Sequence, residues 1–118
     1  MPDRVNVHLK DRTKGEELWL WRHAAGLTQR AAARRLGVGR VTLQGMERDA
    51  LRDAPDRAWR LVSKPSRTLL LALARRRSRL SLSRISSLVG ASHVTVLRWE
   101  DEGDPRLATF WEGRGFIF

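Results

Sequence analysis

Residues 18–49 read LWLWRHAAGLTQRAAARRLGVGRVTLQGMERD, and residues 71–102 read LALARRRSRLSLSRISSLVGASHVTVLRWEDE. Displaced by 53 positions, the two stretches align without a gap. Leu18, Leu20, Arg22, Leu27, Gly37, Val41, Thr42 and Glu47 recur as Leu71, Leu73, Arg75, Leu80, Gly90, Val94, Thr95 and Glu100, eight identities in 32 positions. Thr28 with Ser81, Leu36 with Val89 and Leu43 with Val96 are similar pairs. The matches fall where a helix starts, stops or is buried, so the chain reads as one supersecondary unit used twice.

Each copy predicts three short helices. In the first, Leu18, Leu20, Trp21 and Ala25 give helix A an apolar face, and Gly26 stops it because glycine accepts left-handed backbone angles. Thr28 is an N-cap for helix B, Gln29 to Leu36, with Ala32, Ala33 and Leu36 inward. Gly37 makes a sharp turn, and Gly39 opens helix C, which runs to Glu47. In the second copy, helix A spans Thr68 to Arg77 with Leu70, Leu71, Leu73 and Ala74. Ser81 or Ser83 caps a helix B containing Ile85, Leu88 and Val89. Gly90 turns the chain, and Ser92 caps a helix C from His93 through Val96 and Trp99 to Glu100. Two short helices around a tight glycine turn make a helix-turn-helix. The expected fold is all-α, two tandem helix-turn-helix bundles: residues 1–62 with an N-terminal extension, and residues 63–118 with an apolar C-terminal tail.

The stretch LWRHAAGLTQRAAARRLGVGRVTLQGMERD resembles the Cro/C1-type (XRE) helix-turn-helix family: an Arg late in helix A, Gly-Leu-Thr-Gln opening helix B, a Leu-Gly turn, and a recognition helix ending in an apolar residue and Glu. The likeness covers residues 18–49 well and 71–102 more loosely. It implies that Arg22 pairs with Glu47, and Arg75 with Glu100, each pinning helix C to helix A. It also implies a phosphate contact from Gln29, for which the second copy has Leu82. The stretch TVLRWEDEG in the second copy resembles MerR or excisionase-like domains too, and these add a wing that residues 110–118 would supply.

A recognition helix reads base edges from the solvent face near its N-terminus. With Leu43 and Met46 inward, the outward residues are Arg40, suited to guanine, Val41, suited to a thymine methyl, Gln44, suited to adenine, and Gly45. The second set is His93, Val94, Leu97 and Arg98. Thr28, Gln29, Thr42, Ser81, Ser92 and Thr95 stand at helix starts or turns, where hydroxyl, amide and N–H groups meet phosphate. Arg30 and Arg34 lie on the outer face of helix B. Each residue also has an ordinary role: Thr28, Ser81 and Ser92 as caps, Arg30, Arg34 and Arg76 as solvated charges, His93 as a surface histidine.

Composition points the same way. The 118 residues include 23 Lys and Arg against 13 Asp and Glu, a net charge of +10. Residues 1–62 carry 13 basic and 8 acidic groups and residues 63–118 carry 10 and 5, so each half contributes +5 and the charge is no mere tail. Such a surplus, mostly arginine, suits a polyanion. Cysteine is absent, which excludes disulfides and thiolate metal sites. No apolar run approaches the roughly 20 residues of a membrane span, and Met1 to Lys14 lacks an apolar signal core, so a cytoplasmic protein is expected.

Between the copies, Pro55 is expected to start a short helix, Asp56 to Val62, packing Trp59, Leu61 and Val62. Val5, Val7 and Leu9 alternate with polar residues, as in a short strand. Trp111, Phe116 and Phe118 would each cost roughly 1.5–3 kcal/mol to leave exposed. The tail is therefore expected to pack on the N-terminal strand, within the chain or across a homodimer.

The sequence thus predicts a transcriptional regulator, a repressor of phage, plasmid or other mobile-element origin, partnered by a double-stranded DNA operator. Two alternatives stand: an antitoxin-like or anti-activator protein that binds a partner through its tail, and an excisionase-like accessory factor. An enzyme is not expected, nor a cofactor, a metal site or a small-molecule effector. His8, His23 and His93 lack metal-ligand spacing, and there is no phosphate loop or nucleophile signature. Glu100, Asp101, Glu102 and Asp104 read as a solvated loop at the end of the recognition helix.

Overall fold

The computed structural model describes residues 7–49 and 65–118, so the helix expected at 56–62 and Val5 of the expected strand lie outside the described residues. The described residues are mostly helical, in the order β1 (Val7–His8), α1 (Lys14–Ala24), α2 (Gln29–Leu36), α3 (Arg40–Glu47), α4 (Arg67–Ser78), α5 (Leu82–Val89), α6 (His93–Glu102), α7 (Pro105–Gly113) and β2 (Phe116–Ile117). Residues 11–49 belong to one compact unit. Residues 7–10 belong with 66–118 to the other, so the N-terminal extension groups with the second helical set and not with the first.

In the first unit α3 packs on both α1 and α2. Thr13 caps α1 through a reciprocal box with Glu16: the Thr13 Oγ1 accepts from the Glu16 N–H at 3.1 Å, and the Glu16 carboxylate accepts from the Thr13 N–H at 3.0 Å. The spacing Thr13-Lys14-Gly15-Glu16 carries this signal in the sequence. Helix α1 ends at Ala24, and Ala25 is its exposed C-cap rather than part of the apolar face. Gly26, at φ 66°, lets the Leu27 N–H reach the Arg22 carbonyl at 3.0 Å. Gly37 repeats the device at φ 72°, with the Val38 N–H on the Ala33 carbonyl at 2.9 Å. The core is Leu18, Ala32, Ala33, Leu43 and Met46, flanked by Trp21, Leu27, Leu36 and Val38. The small Ala32 and Ala33 keep α2 close to its neighbours. Asp49 closes the unit, accepting from Thr13 Oγ1 at 2.6 Å and from the Gly15 N–H at 2.8 Å.

In the second unit α6 packs on α4 and α5, and α7 packs on α4, α6 and β2. Its buried apolar residues include Leu9, Leu71, Leu73, Ala74, Ile85, Val96, Trp99, Leu107, Ala108, Trp111 and Phe116. Leu88, expected in the apolar set of helix B, is exposed. Ser66, Ser81 and Ser92 cap α4, α5 and α6. Gly90, at φ 70°, makes the turn between α5 and α6. At the position matching Gly26, the chain has Arg79 at φ 59°.

The C-terminal segment differs from the wing. Asp104 caps a further helix, α7, with Pro105 in its first turn, where a missing N–H costs nothing. The chain then runs into β2, which pairs in parallel with β1 (Val7 opposite Phe116, His8 opposite Ile117), and the Leu9 N–H extends the pairing to the Ile117 carbonyl at 2.9 Å. The tail therefore closes within the chain. Trp111 is fully buried, Phe116 meets it edge-on with ring centres 5.3 Å apart, and Phe118 is half-buried. Helix α6 also runs on to Glu102, so Glu100, Asp101 and Glu102 are helical rather than a loop.

Candidate nucleic-acid interface

Two ion pairs set the angle of α3 and α6 in their units. Arg22 on α1 donates from Nε to Glu47 Oε2 at 2.6 Å and from Nη2 to Oε1 at 3.2 Å. Arg75 on α4 donates to Glu100 on α6 through the same two nitrogens at 2.8 and 3.1 Å. Planar two-point contacts of this kind fix orientation as well as distance. The first is the more enclosed: the Arg22 side chain keeps 11% of its surface and Arg75 keeps 36%. Residue type at one position differs between them. Half-buried Gln29 turns its amide to Glu47 at 3.5 Å, whereas Leu82 stands at the matching place.

Helix α3 starts at Gly39 without a side-chain cap, which leaves its first turn open. Arg40 and Val41 are exposed there, Val41 at 74%. Thr42, Gln44 and Gly45 are half-buried, while Leu43, Met46 and Glu47 face inward. Thr28 caps α2, its hydroxyl oxygen accepting from the Ala31 N–H at 3.1 Å. Arg30, Arg34 and Arg35 of α2 and Arg48 after α3 are exposed. Between residues 28 and 48 the one acidic residue is Glu47, which is buried and paired with Arg22. Residues 28–48 thus present five exposed arginines and an exposed valine, and the next residue, Asp49, is an exposed carboxylate that accepts from Thr13 and Gly15.

The second unit has the same backbone and another surface. His93, Val94 and Arg98 are exposed on α6, Val94 at 75%. The hydroxyl of Ser92 accepts from the Thr95 N–H at 3.2 Å and donates to Thr95 Oγ1 at 2.9 Å. The His93 Nε2 and the Ser83 hydroxyl lie 3.2 Å apart. Ser81 caps α5, accepting from the Arg84 N–H at 3.1 Å. Of the sequence-derived candidates, the structure brings Arg40, Val41 and Gln44 to one helix start and His93, Val94 and Arg98 to the other. It does not gather a second arginine-rich surface, because exposed Asp101 stands where the first unit has Arg48 and Leu97, 41% exposed, stands where it has Gln44.

Sequence reasoning passed over two features that hold these helices. The Thr13–Asp49–Gly15 link ties the end of α3 to the start of α1, and a Cβ on Gly15 would lie 2.7 Å from the Met46 carbonyl oxygen. The other is the cap of α7. Asp104 accepts from the Arg106 side chain at 2.8 and 3.0 Å and from its N–H at 2.8 Å, and Arg106 also lies over the Trp99 ring at 4.4 Å. The side-chain hydrogen bonds from Arg106, followed by its N–H, lower the Asp104 pKa from 3.8 to about 2, and the same bonds raise that of Arg106.

Comparison of the chain with models of known families, with curated proteins and with solved structures finds no match. Among the described residues, no helix is long and apolar enough to cross a membrane.

Proposed function

We propose that this protein is a sequence-specific DNA-binding regulator of transcription similar to the Cro/C1-type family, acting in the cytoplasm as a repressor that occupies a double-stranded operator. The first unit is the reader. One observation carries this: the open start of α3, with Arg40 and Val41 exposed and Gln44 beside them, lies in a stretch, residues 28–48, whose other exposed charges are all arginines. An exposed β-branched residue on a recognition helix fits a thymine methyl, and the guanidinium of Arg40 fits the O6 and N7 of guanine. Arg30, Arg34, Arg35 and Arg48, with the N-terminus of α2 at Thr28 and Gln29, supply phosphate contacts that hold the register. The pair Arg22–Glu47 keeps α3 at a fixed angle, which base reading requires.

A partner protein docking on the tail finds less support, since Trp111 and Phe116 are buried. An excisionase-like role has lost its wing to α7.

Selection of bound sites from random duplex tests the proposal. A recovered motif, with affinity that falls steeply as salt rises because bound cations leave the phosphates, is the expected result. Equal affinity for selected and random duplex would reject it.

A further inference from the structure

We propose that Asp49 is a positioning residue for base reading: with Thr13 and Gly15 it gives α3 a second anchor on α1, and this anchor aims Arg40, Val41 and Gln44 at the groove. The inference rests on assigning DNA reading to the first unit. Asp49 follows α3 and holds φ 59°, a left-handed angle that at a helix end usually falls to glycine. In the second unit Gly103 takes that turn, at φ 65°. A side chain with a Cβ is strained at such an angle. The carboxylate gives Asp49 a use for the position: one oxygen accepts from the Thr13 hydroxyl at 2.6 Å, and the other from the Gly15 N–H at 2.8 Å.

The two helices also approach closely here. A Cβ on Gly15 would lie 2.7 Å from the Met46 carbonyl oxygen and 2.8 Å from Asp49 Oδ1, so only glycine admits the contact. The Thr13 hydroxyl is held in place as well, because its oxygen caps α1 by accepting from the Glu16 N–H at 3.1 Å. The matching positions of the second unit are used differently. The Ser66 hydroxyl turns to Thr68 Oγ1 at 2.7 Å, and Thr68 itself stands at the place of Gly15.

The anchor completes a two-point grip. Arg22 holds Glu47 near the end of α1, and Gly15 holds Asp49 near its start. Those stations are seven residues apart, about 10 Å along the helix at a rise of roughly 1.5 Å per residue. A short helix gripped at one point can pivot, whereas two stations that far apart fix its direction. The direction matters at the far end of α3, where Gly39 supplies no side-chain cap and Arg40 stands exposed. Base reading tolerates little angular error in the groups that make it.

Fluorescence anisotropy titrations on selected and random duplex, with a thermal melt of each variant, test the proposal. Asp49→Gly suits the left-handed angle, so the chain stays folded while α3 loses the anchor. Its affinity for the selected duplex should fall by about tenfold, equivalent to 1.4 kcal/mol. Random duplex should bind as before or slightly tighter, since a negative charge has gone. Asp49→Asn keeps an oxygen for the Gly15 N–H and should retain most of the selected affinity. Thr13→Ser should keep it too, whereas adding Thr13→Ala to Asp49→Gly should cost little more than Asp49→Gly alone. Asp49→Gly binding the selected duplex as tightly as wild type, or tighter, overturns the proposal and leaves Asp49 a surface charge. A loss shared equally by both duplexes also overturns it, since that pattern reports stability alone. Failure of the first-unit reading would show separately, as unchanged affinity of Arg40→Ala for the selected duplex.

Discussion

Arg22 and Glu47 meet through two hydrogen bonds inside the first unit, and the pair recurs 53 residues later between Arg75 and Glu100 in a more open setting. The guanidinium of Arg22 is nearly enclosed, and it donates to the Leu27 carbonyl at 3.3 Å as well. Removing one partner of a buried pair leaves the other charge out of water without compensation. Glu47→Ala should therefore cost about 3–5 kcal/mol. Glu100→Ala leaves an arginine that water reaches, and should cost about 1.5–3 kcal/mol. Urea unfolding of the two variants checks the order, and a larger loss for Glu100→Ala would contradict it.

Arg40→Ala should weaken binding to a selected duplex by about 1–3 kcal/mol and relax preference at one base pair. Arg34→Ala, a phosphate contact in the proposed function, should weaken selected and random duplex alike and reduce the salt dependence. Fluorescence anisotropy titrations on both duplexes separate the two patterns. Identical behaviour of the two variants would deny Arg40 a base contact.

Ser86 is buried and its hydroxyl has no partner among the described residues, while the matching residue of the first unit is Ala33. A buried hydroxyl without a hydrogen bond loses its hydration for no return. Ser86→Ala should raise stability by about 1 kcal/mol. A fall in the denaturation midpoint would show that the hydroxyl is satisfied after all.

Arg79 holds φ 59° where the first unit has Gly26 at φ 66°. An L-residue with a Cβ pays roughly 1 kcal/mol for this conformation. Arg79→Gly should recover about that amount, and Gly26→Ala should lose a similar amount. Thermal melts of the two variants should move in opposite directions.

Asp104 predicts a pH dependence in acid. Its folded pKa of about 2 lies below the free value of 3.8, so the folded state favours the carboxylate. That stabilisation is complete above about pH 5 and is lost as pH falls through 3.8 toward 2. Asp104→Asn keeps an oxygen acceptor for the cap but cannot titrate. Its stability should fall less between about pH 5 and pH 2.5 than that of the wild type. Parallel slopes in denaturant titrations would remove Asp104 from the acid response.

Helices and turns were legible because their signals are local. Thr28, Ser81 and Ser92 cap where they stand, and Gly37 and Gly90 bend the chain at left-handed angles that few other residues tolerate. The internal repeat located both helix-turn-helix units for the same reason, since eight identities fell on those signals. Asp104-Pro105 carried an equally local start for α7, yet the resemblance of TVLRWEDEG to MerR or excisionase-like domains suggested a wing there. The pairing of Val7 with Phe116 joins residues that are neighbours only in the folded molecule, so no short window of sequence contains it. The exposure of Leu97 is likewise a tertiary fact. Its helix is written in the local pattern, but which side of that helix meets solvent depends on how α4, α5 and α7 pack around it. The residues by themselves determined two basic helix-turn-helix units. Only the packing decided that one presents arginines and the other a leucine and an aspartate, because burial is a property of neighbours brought together across the chain.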